Sequence, residues 1–257
     1  MKNIVLTLYA FIALLVLSSC GSYRKTAYFQ DLKQNASSRE PIGNYTSVTI
    51  QPEDILGINV SSLNPEASAI FNYNLNTITG TVNNNQNNPV IGYLVDQKGE
   101  IQLPLIGNYK VAGQTTSQLR ENIRKELLKY LKEPVVNIRI INFKVSVMGD
   151  VSRPGVYQVQ NERLTVTEAI SMAGDLNITA MRNKLTLIRE TNGTREYIPI
   201  DLTSKNLFNS PYYYLKSNDV IYVQPGKNKY ASVDNSYRSI SLLLSAISIA
   251  AVLLTRN

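Results

Sequence analysis

The 257-residue sequence has no histidine, no tryptophan and one cysteine. Without histidine it lacks the commonest general base and the commonest metal-ligating side chain. One thiol cannot form an internal disulfide, so stability must come from packing. No G-x-S-x-G nucleophile elbow is present, and no carboxylates are spaced for acid/base work. The sequence therefore predicts no catalytic residue, no metal and no cofactor, and an enzyme is the less favoured class. The net charge is +7, but its lysines and arginines are scattered. No compact basic block marks a nucleic-acid footprint, and no nucleic acid is expected as a partner.

Long apolar runs are also missing, but short ones sit near both ends. Lys2 precedes the apolar stretch from Ile4 to Leu17, which is too short and wrongly flanked for an ordinary membrane span. Ser18 and Ser19 then lead to Cys20, the sole cysteine. A plain secretory signal has no need of a thiol there. A bacterial lipoprotein signal does, because the thiol is acylated and becomes the new N-terminus. Residues 1–19 are thus expected to be a signal peptide, with Cys20 the lipidation site. Several acyl chains on one residue anchor firmly, at ~0.8 kcal/mol per buried methylene.

Beyond the signal about 238 residues remain, enough for one large domain or two small ones. Residues 20–44 are polar and irregular and read as a tether. From Tyr45 short apolar segments suggest strands, and Asn83–Asn88 reads as an exposed loop. Gly92–Val95 and Glu100–Leu103 flank Asp96-Gln97-Lys98-Gly99, which predicts a hairpin. Thr115 and Gln118 form a capping box ahead of Leu119, Ile123, Leu127 and Leu131, so a helix is expected from Thr115 to Leu131, stopped by Pro134.

From Val135 to Met148 the residues alternate as in a strand, but the parity slips near Ile140–Asn142. A period-2 pattern cannot change parity without a bulge, a sharp twist or a change of sheet. A domain boundary is placed there, giving units at 45–141 and 142–226. The second unit predicts a strand at Val156–Val159 and a helix at Thr167–Ala173 closed by Gly174. Further strands are expected at Leu185–Arg189, Glu196–Ile200 and Val220–Val223. Together these predict one helix on a small mixed sheet, and an α+β chain.

Gly149-Asp150-Val151, Pro154-Gly155-Val156-Tyr157, Leu164 to Ile170, Ala173-Gly174 and the closing Asn218-Asp219-Val220 resemble the SLBB domain. Ile50-x-Pro52-Glu53-Asp54 and Leu103-Pro104-Leu105-Ile106-Gly107 resemble the polysaccharide-export domain. The chain is thereby similar to the Wza-like outer-membrane polysaccharide export proteins, in a form with a single SLBB unit. It departs from them at Glu53, where members typically carry glycine. The resemblance implies an α+β fold: a polysaccharide-export domain followed by a β-grasp-like SLBB domain, with a C-terminal transmembrane helix. It also implies a structural role for the turn residues Gly149, Asp150, Pro154 and Gly155.

Ile240 to Leu254 is nearly all apolar, and 227–237 reads as a linker to a helix over 238–255. Fifteen helical residues span ~22 Å, short for an average bilayer but nearer to the thinner bacterial outer membrane. Ser241, Ser245 and Ser248 fall on one face of that helix. The stripe alone leaves two readings open: back-bonding or close helix packing, or the lining of a shared water-filled lumen. The resemblance favours the lumen. It implies a homo-oligomeric ring in outer-membrane lipid, a polysaccharide substrate and an inner-membrane copolymerase as partner. The domains would lie in the periplasm and the C-terminus at the cell surface. The alternative is a monomeric periplasmic glycan- or ligand-binding lipoprotein with a C-terminal anchor.

Overall fold

The computed structural model describes residues 26–32, 37–44, 47–72, 92–191, 193–231, 239–246 and 248–249. The signal segment with Cys20, the Asn83–Asn88 run, most of the 227–237 linker and residues 250–255 lie outside the described residues.

Strand β1 (Ile55–Ser61) alternates, with Leu56, Ile58 and Val60 pointing inward. It lies between the short β2 (Tyr93–Leu94) and β5 (Val135–Ile140), both antiparallel to it. Ile58 pairs with Ile138 and Val60 with Val136, so apolar residues meet on one face. A second ribbon joins β3 (Glu100–Leu103) to β4 (Gly107–Lys110). Helix α1 (Pro65–Ala69) is capped by the Asn64 side chain. Helix α2 (Thr116–Leu127) begins with the expected box: the Thr115 hydroxyl accepts from Gln118 N–H, and the Gln118 side chain accepts from Thr115 N–H. Leu119, Ile123 and Leu127 are buried, each contributing roughly 2 kcal/mol to this core.

Two expectations need correction here. The hairpin across Asp96–Gly99 does not form between its two flanks. The turn is present, with Gly99 N–H on Asp96 C=O and Asp96 N–H on Glu100 C=O. Beyond it Val95 bonds to the backbone of Glu53 and Asp54, while β3 closes on β4 through Pro104–Ile106. The local turn signal was right and the partner was wrong, because two competing turns follow closely in sequence. The helix also stops at Leu127, well before Pro134. Leu131 is still buried, so apolar spacing continues past the helical backbone.

At residues 141–143 the chain changes sheet. β5 belongs to the three-stranded sheet, and β6 (Lys144–Gly149) belongs to a five-stranded one. The slip in alternation is the sequence trace of that crossing. In the second unit β6 pairs antiparallel with β7 (Gly155–Gln158), and α3 (Val166–Met172) follows. Strands β8 (Ala180–Thr191), β9 (Thr194–Ile200) and β10 (Val220–Pro225) complete the sheet in the order β7-β6-β10-β8-β9. Only β6 and β10 run parallel. Val166, Ala169 and Ile170 of α3 pack onto Val145, Val147, Leu185, Leu187 and Ile221. This is the mixed sheet with one helix expected from sequence. β8 is longer than Leu185–Arg189 because its N-terminal part carries Met181, Arg182, Asn183 and Lys184, which hide its strand character.

Residues expected to be a tether are bound to the second unit where they are described. Phe29 N–H donates to Leu202 C=O at 3.0 Å and Gln30 N–H to Thr203 C=O at 2.7 Å. The Phe29 ring lies 4.8 Å from that of Phe208. Residues 26–32 and 37–44 therefore form a strap rather than a free spacer. The reason is apolar: Tyr28 and Phe29 add to the core of the second unit, which a polar tether could not do.

No helix among the described residues is long and apolar enough to cross a membrane. The expected C-terminal transmembrane helix appears only as helical residues 239–246 and 248–249.

Candidate functional site

The motif after β6 divides into an inner and an outer half. Gly149 has φ +97°, and a Cβ on it would lie 2.1 Å from the Val223 carbonyl oxygen. Glycine there lets the end of β6 press onto β10. Pro154 and Gly155 instead lie on the surface, at the start of β7.

Asp150 is 0% exposed and carries the most connected carboxylate of this end of the molecule. Its Oδ1 accepts from Asn177 Nδ2 at 2.9 Å and from Lys229 Nζ at 2.6 Å, and its Oδ2 from Thr179 Oγ1 at 2.6 Å. Burial acts to raise the pKa of this carboxyl. The bonds from Lys229, Thr179 and Asn177 outweigh it and hold the value below the ordinary carboxylate range. Lys229 lies in helix α4 (Lys227–Ala231), so the start of the expected linker is pinned to the domain. Gly226 N–H adds a bond to Thr179 C=O at 2.8 Å.

The strap reaches the same loop from the other side. The Tyr28 hydroxyl donates to Asp175 Oδ1. The Arg182 guanidinium lies 5.2 Å from the Tyr28 ring centre and donates to the carbonyl of Ala180 at 3.3 Å. Burial, then the bond to Asp175, push the Tyr28 hydroxyl far above its ordinary pKa. The loop following α3 is thus held both by the segment leading from Cys20 and by the segment leading to the C-terminus.

A second buried pair shapes the far side of the unit. Arg189 Nε and a terminal guanidinium nitrogen donate to the two oxygens of Asp219 at 2.9 and 2.6 Å. The same arginine bonds Tyr214 C=O at 3.2 Å, and Lys216 N–H donates to Asp219. The pair fixes the Tyr212–Lys216 loop against β8. No sequence spacing links positions 189 and 219, so it was not foreseen. Thr165 and Glu168 form a further capping box at α3, a T-x-x-E signal that places the start of α3 just before Thr167.

Ser241, Ser245 and Ser248 are all exposed. Ser245 Oγ donates to Ser241 C=O at 2.8 Å, one turn back. Leu242, Leu243, Leu244 and Ile249 on the same segment are exposed as well. A single chain leaves both the hydroxyl stripe and the apolar sides uncovered.

A cleft of about 530 Å³ lies between the two units and is lined by Ser47, Thr115, Arg139, Arg163, Glu162 and Glu168. Its carboxylates have structural duties: Glu168 accepts from Thr165 N–H at 2.7 Å, and Glu162 lies 3.9 Å from Arg120. Among the described residues no group of three or more acidic, cysteine or histidine side chains could hold a metal.

Comparison with known families adds two matches in order along the chain. Residues 43–141 match the polysaccharide biosynthesis/export protein family, and residues 143–223 match the SLBB domain. Among curated proteins, the EPS I polysaccharide export outer membrane protein EpsA of Ralstonia solanacearum is 32% identical over 129 residues, which are 49% of this chain and 32% of EpsA. Its counterpart in Ralstonia nicotianae is 34% identical over 111 residues, 42% of this chain and 29% of the relative. The exopolysaccharide production protein ExoF of Rhizobium meliloti is 31% identical over 88 residues, 33% of this chain and 21% of ExoF. The chain spans about a third or less of the length of these relatives.

Proposed function

We infer the function from one premise: the chain belongs to the Wza-like polysaccharide export proteins, with an export domain followed by an SLBB domain. On that premise it is an outer-membrane lipoprotein subunit of an oligomeric ring that conducts capsular or exopolysaccharide across the outer membrane. The ordered pair of domain matches is the observation that carries this reading. The similarity to polysaccharide export outer membrane proteins of two Ralstonia species supports it.

In this reading residues 45–141 and 142–226 are the two periplasmic domains, and acylated Cys20 holds each subunit at the inner leaflet. Residues 238–255 cross the outer membrane and bring the C-terminus to the cell surface. The uncovered side chains of 239–246, 248 and 249 support burial of that segment in lipid and against neighbouring copies. One helix cannot enclose a pore, so conduction needs a homo-oligomer. Ser241, Ser245 and Ser248 would then line the lumen, where uncharged hydroxyls offer hydrogen bonds to sugars without gripping them. The subunit acts as a passive conduit, opened by an inner-membrane copolymerase at its periplasmic face rather than by chemistry of its own.

Electron microscopy of the detergent-extracted full chain tests the ring. The expected particle is many times the mass of one chain and has a central hole; a well-behaved monomer would sink the proposal. Deleting 240–257 should abolish surface polysaccharide while the remaining chain stays folded. Undiminished export after that deletion would refute the pore helix.

A further inference from the structure

The loop after α3 carries an exposed apolar side chain at the point where both chain ends leave the second unit. Ile178 is 75% exposed, although its neighbours Asn177 and Thr179 are held by Asp150. Thr179 also accepts from Gly226, and Asp150 accepts from Lys229, so α4 lies directly beside this loop. α4 itself presents Tyr230, 64% exposed, and exposed Lys227. On the other side Tyr28 is fixed to Asp175. Cys20 stands six residues before Thr26, a span of at most about 21 Å even when fully extended.

We propose that this end of the second unit is a lipid-contacting surface, with Ile178 and Tyr230 entering the headgroup region and Lys227 facing anionic headgroups. Tyrosine and lysine are the residues that favour a membrane–water interface, where a ring or stem meets hydrocarbon and the polar tip stays wet. A lone isoleucine at a loop tip is ordinary, but here it is coupled to both exits. The positions of Thr26 and α4 limit how far this surface can stand from lipid. The exposed carboxylate of the loop, Asp175, accepts from the Tyr28 hydroxyl and from Leu176 N–H, which spreads its charge over donors. The loop is also braced by Arg182 and Asp150, so Ile178 is presented on a fixed support rather than a floppy tip. The proposal rests on the outer-membrane reading above and adds which face of the domain meets the membrane.

The test uses the acylated full chain, whose sole native thiol is then blocked. Ile178→Cys, Leu128→Cys and Leu243→Cys are each labelled with a small fluorophore. They are reconstituted into vesicles of phosphatidylethanolamine and phosphatidylglycerol containing a lipid spin-labelled near the headgroup. Leu128 is an exposed apolar control in the first unit. Quenching at 178 should exceed that at 128 by about twofold or more, as expected for shallow interfacial burial. Equal quenching at 178 and 128 overturns the proposal. Position 243 separates it from the membrane-helix reading: quenching at 243 without quenching at 178 removes only the lipid-contacting surface. Quenching at 178 without 243 keeps that surface and removes the crossing helix. Replacing phosphatidylglycerol with phosphatidylcholine should lower the signal at 178; an unchanged signal overturns the part given to Lys227.

Discussion

Lys229 Nζ lies 2.6 Å from Asp150 Oδ1, joining the turn after β6 to the segment after β10 across 79 residues of sequence. The pair is asymmetric: the aspartate is 0% exposed and the lysine side chain 45%. Asp150 therefore depends on its donors more than Lys229 depends on Asp150. Asp150→Ala leaves Lys229, Asn177 and Thr179 without their shared acceptor. Breaking a fully buried pair costs about 3–5 kcal/mol; solvent screening of the lysine reduces the expected loss here to about 2 kcal/mol. Because the folded carboxyl sits below its ordinary pKa, its stabilisation is complete above about pH 4 and fades as pH falls through the lower folded value. Urea unfolding should show a large gap between wild type and Asp150→Ala at neutral pH, closing in acid.

Gly149 and Gly107 both have positive φ, but they differ in what surrounds them. Gly149→Ala combines that strain with a clash against the Val223 backbone and should cost about 3 kcal/mol or prevent folding. Gly107→Ala meets nothing within 4 Å and should cost about 1 kcal/mol. Midpoints of denaturant unfolding for the two variants give the comparison.

Phe29→Ala should loosen the strap without unfolding the second unit. The ring is half-buried, so the expected loss is about 1.5 kcal/mol. Limited proteolysis should then cut within 26–44 faster than in wild type, while fragments spanning the five-stranded sheet persist.

Asp54 is buried and accepts from Gln51 N–H at 2.8 Å. Burial raises its pKa and that single bond only partly opposes it. The sign is opposite to that of Asp150: the charged form is disfavoured in the fold, and the penalty is present above the raised value. It vanishes below the ordinary value of about 4. Asp54→Asn keeps an acceptor for Gln51, so it should be more stable than wild type at neutral pH and no more stable in acid. Thermal melts across that range decide it.

Local signals were legible and long-range partners were not. Thr115 and Gln118 announce the start of α2 because a capping box is written in four consecutive residues. The parity slip at 140–142 is also local, and the change of sheet follows from it. The destination of β2 is not local: its pairing with β1 depends on which of two nearby turns wins. The Arg189–Asp219 pair joins strands brought together only by the β10–β8 register, and no short window holds both residues. For the site, Gly149 and Asp150 stood out in a motif, but Lys229 looked like a linker residue and Tyr28 like part of a tether. Their partners are 79 and 147 residues away.

The strap also sets an order of events in time. The Phe29 N–H lacks its acceptor until Leu202 lies beside it, and Leu202 follows β9, whose sheet closes through the parallel pairing of β6 with β10. A chain emerging from its N-terminus first must present Phe29 and the rest of the strap undocked while nearly all of the second unit follows. Loop closure over such a span is slow compared with local turns. Phe29 and its described neighbours thus pass through an accessible interval before the strap docks. A protease that meets the strap in that interval finds Phe29 uncovered, and docking afterwards packs its ring against the core.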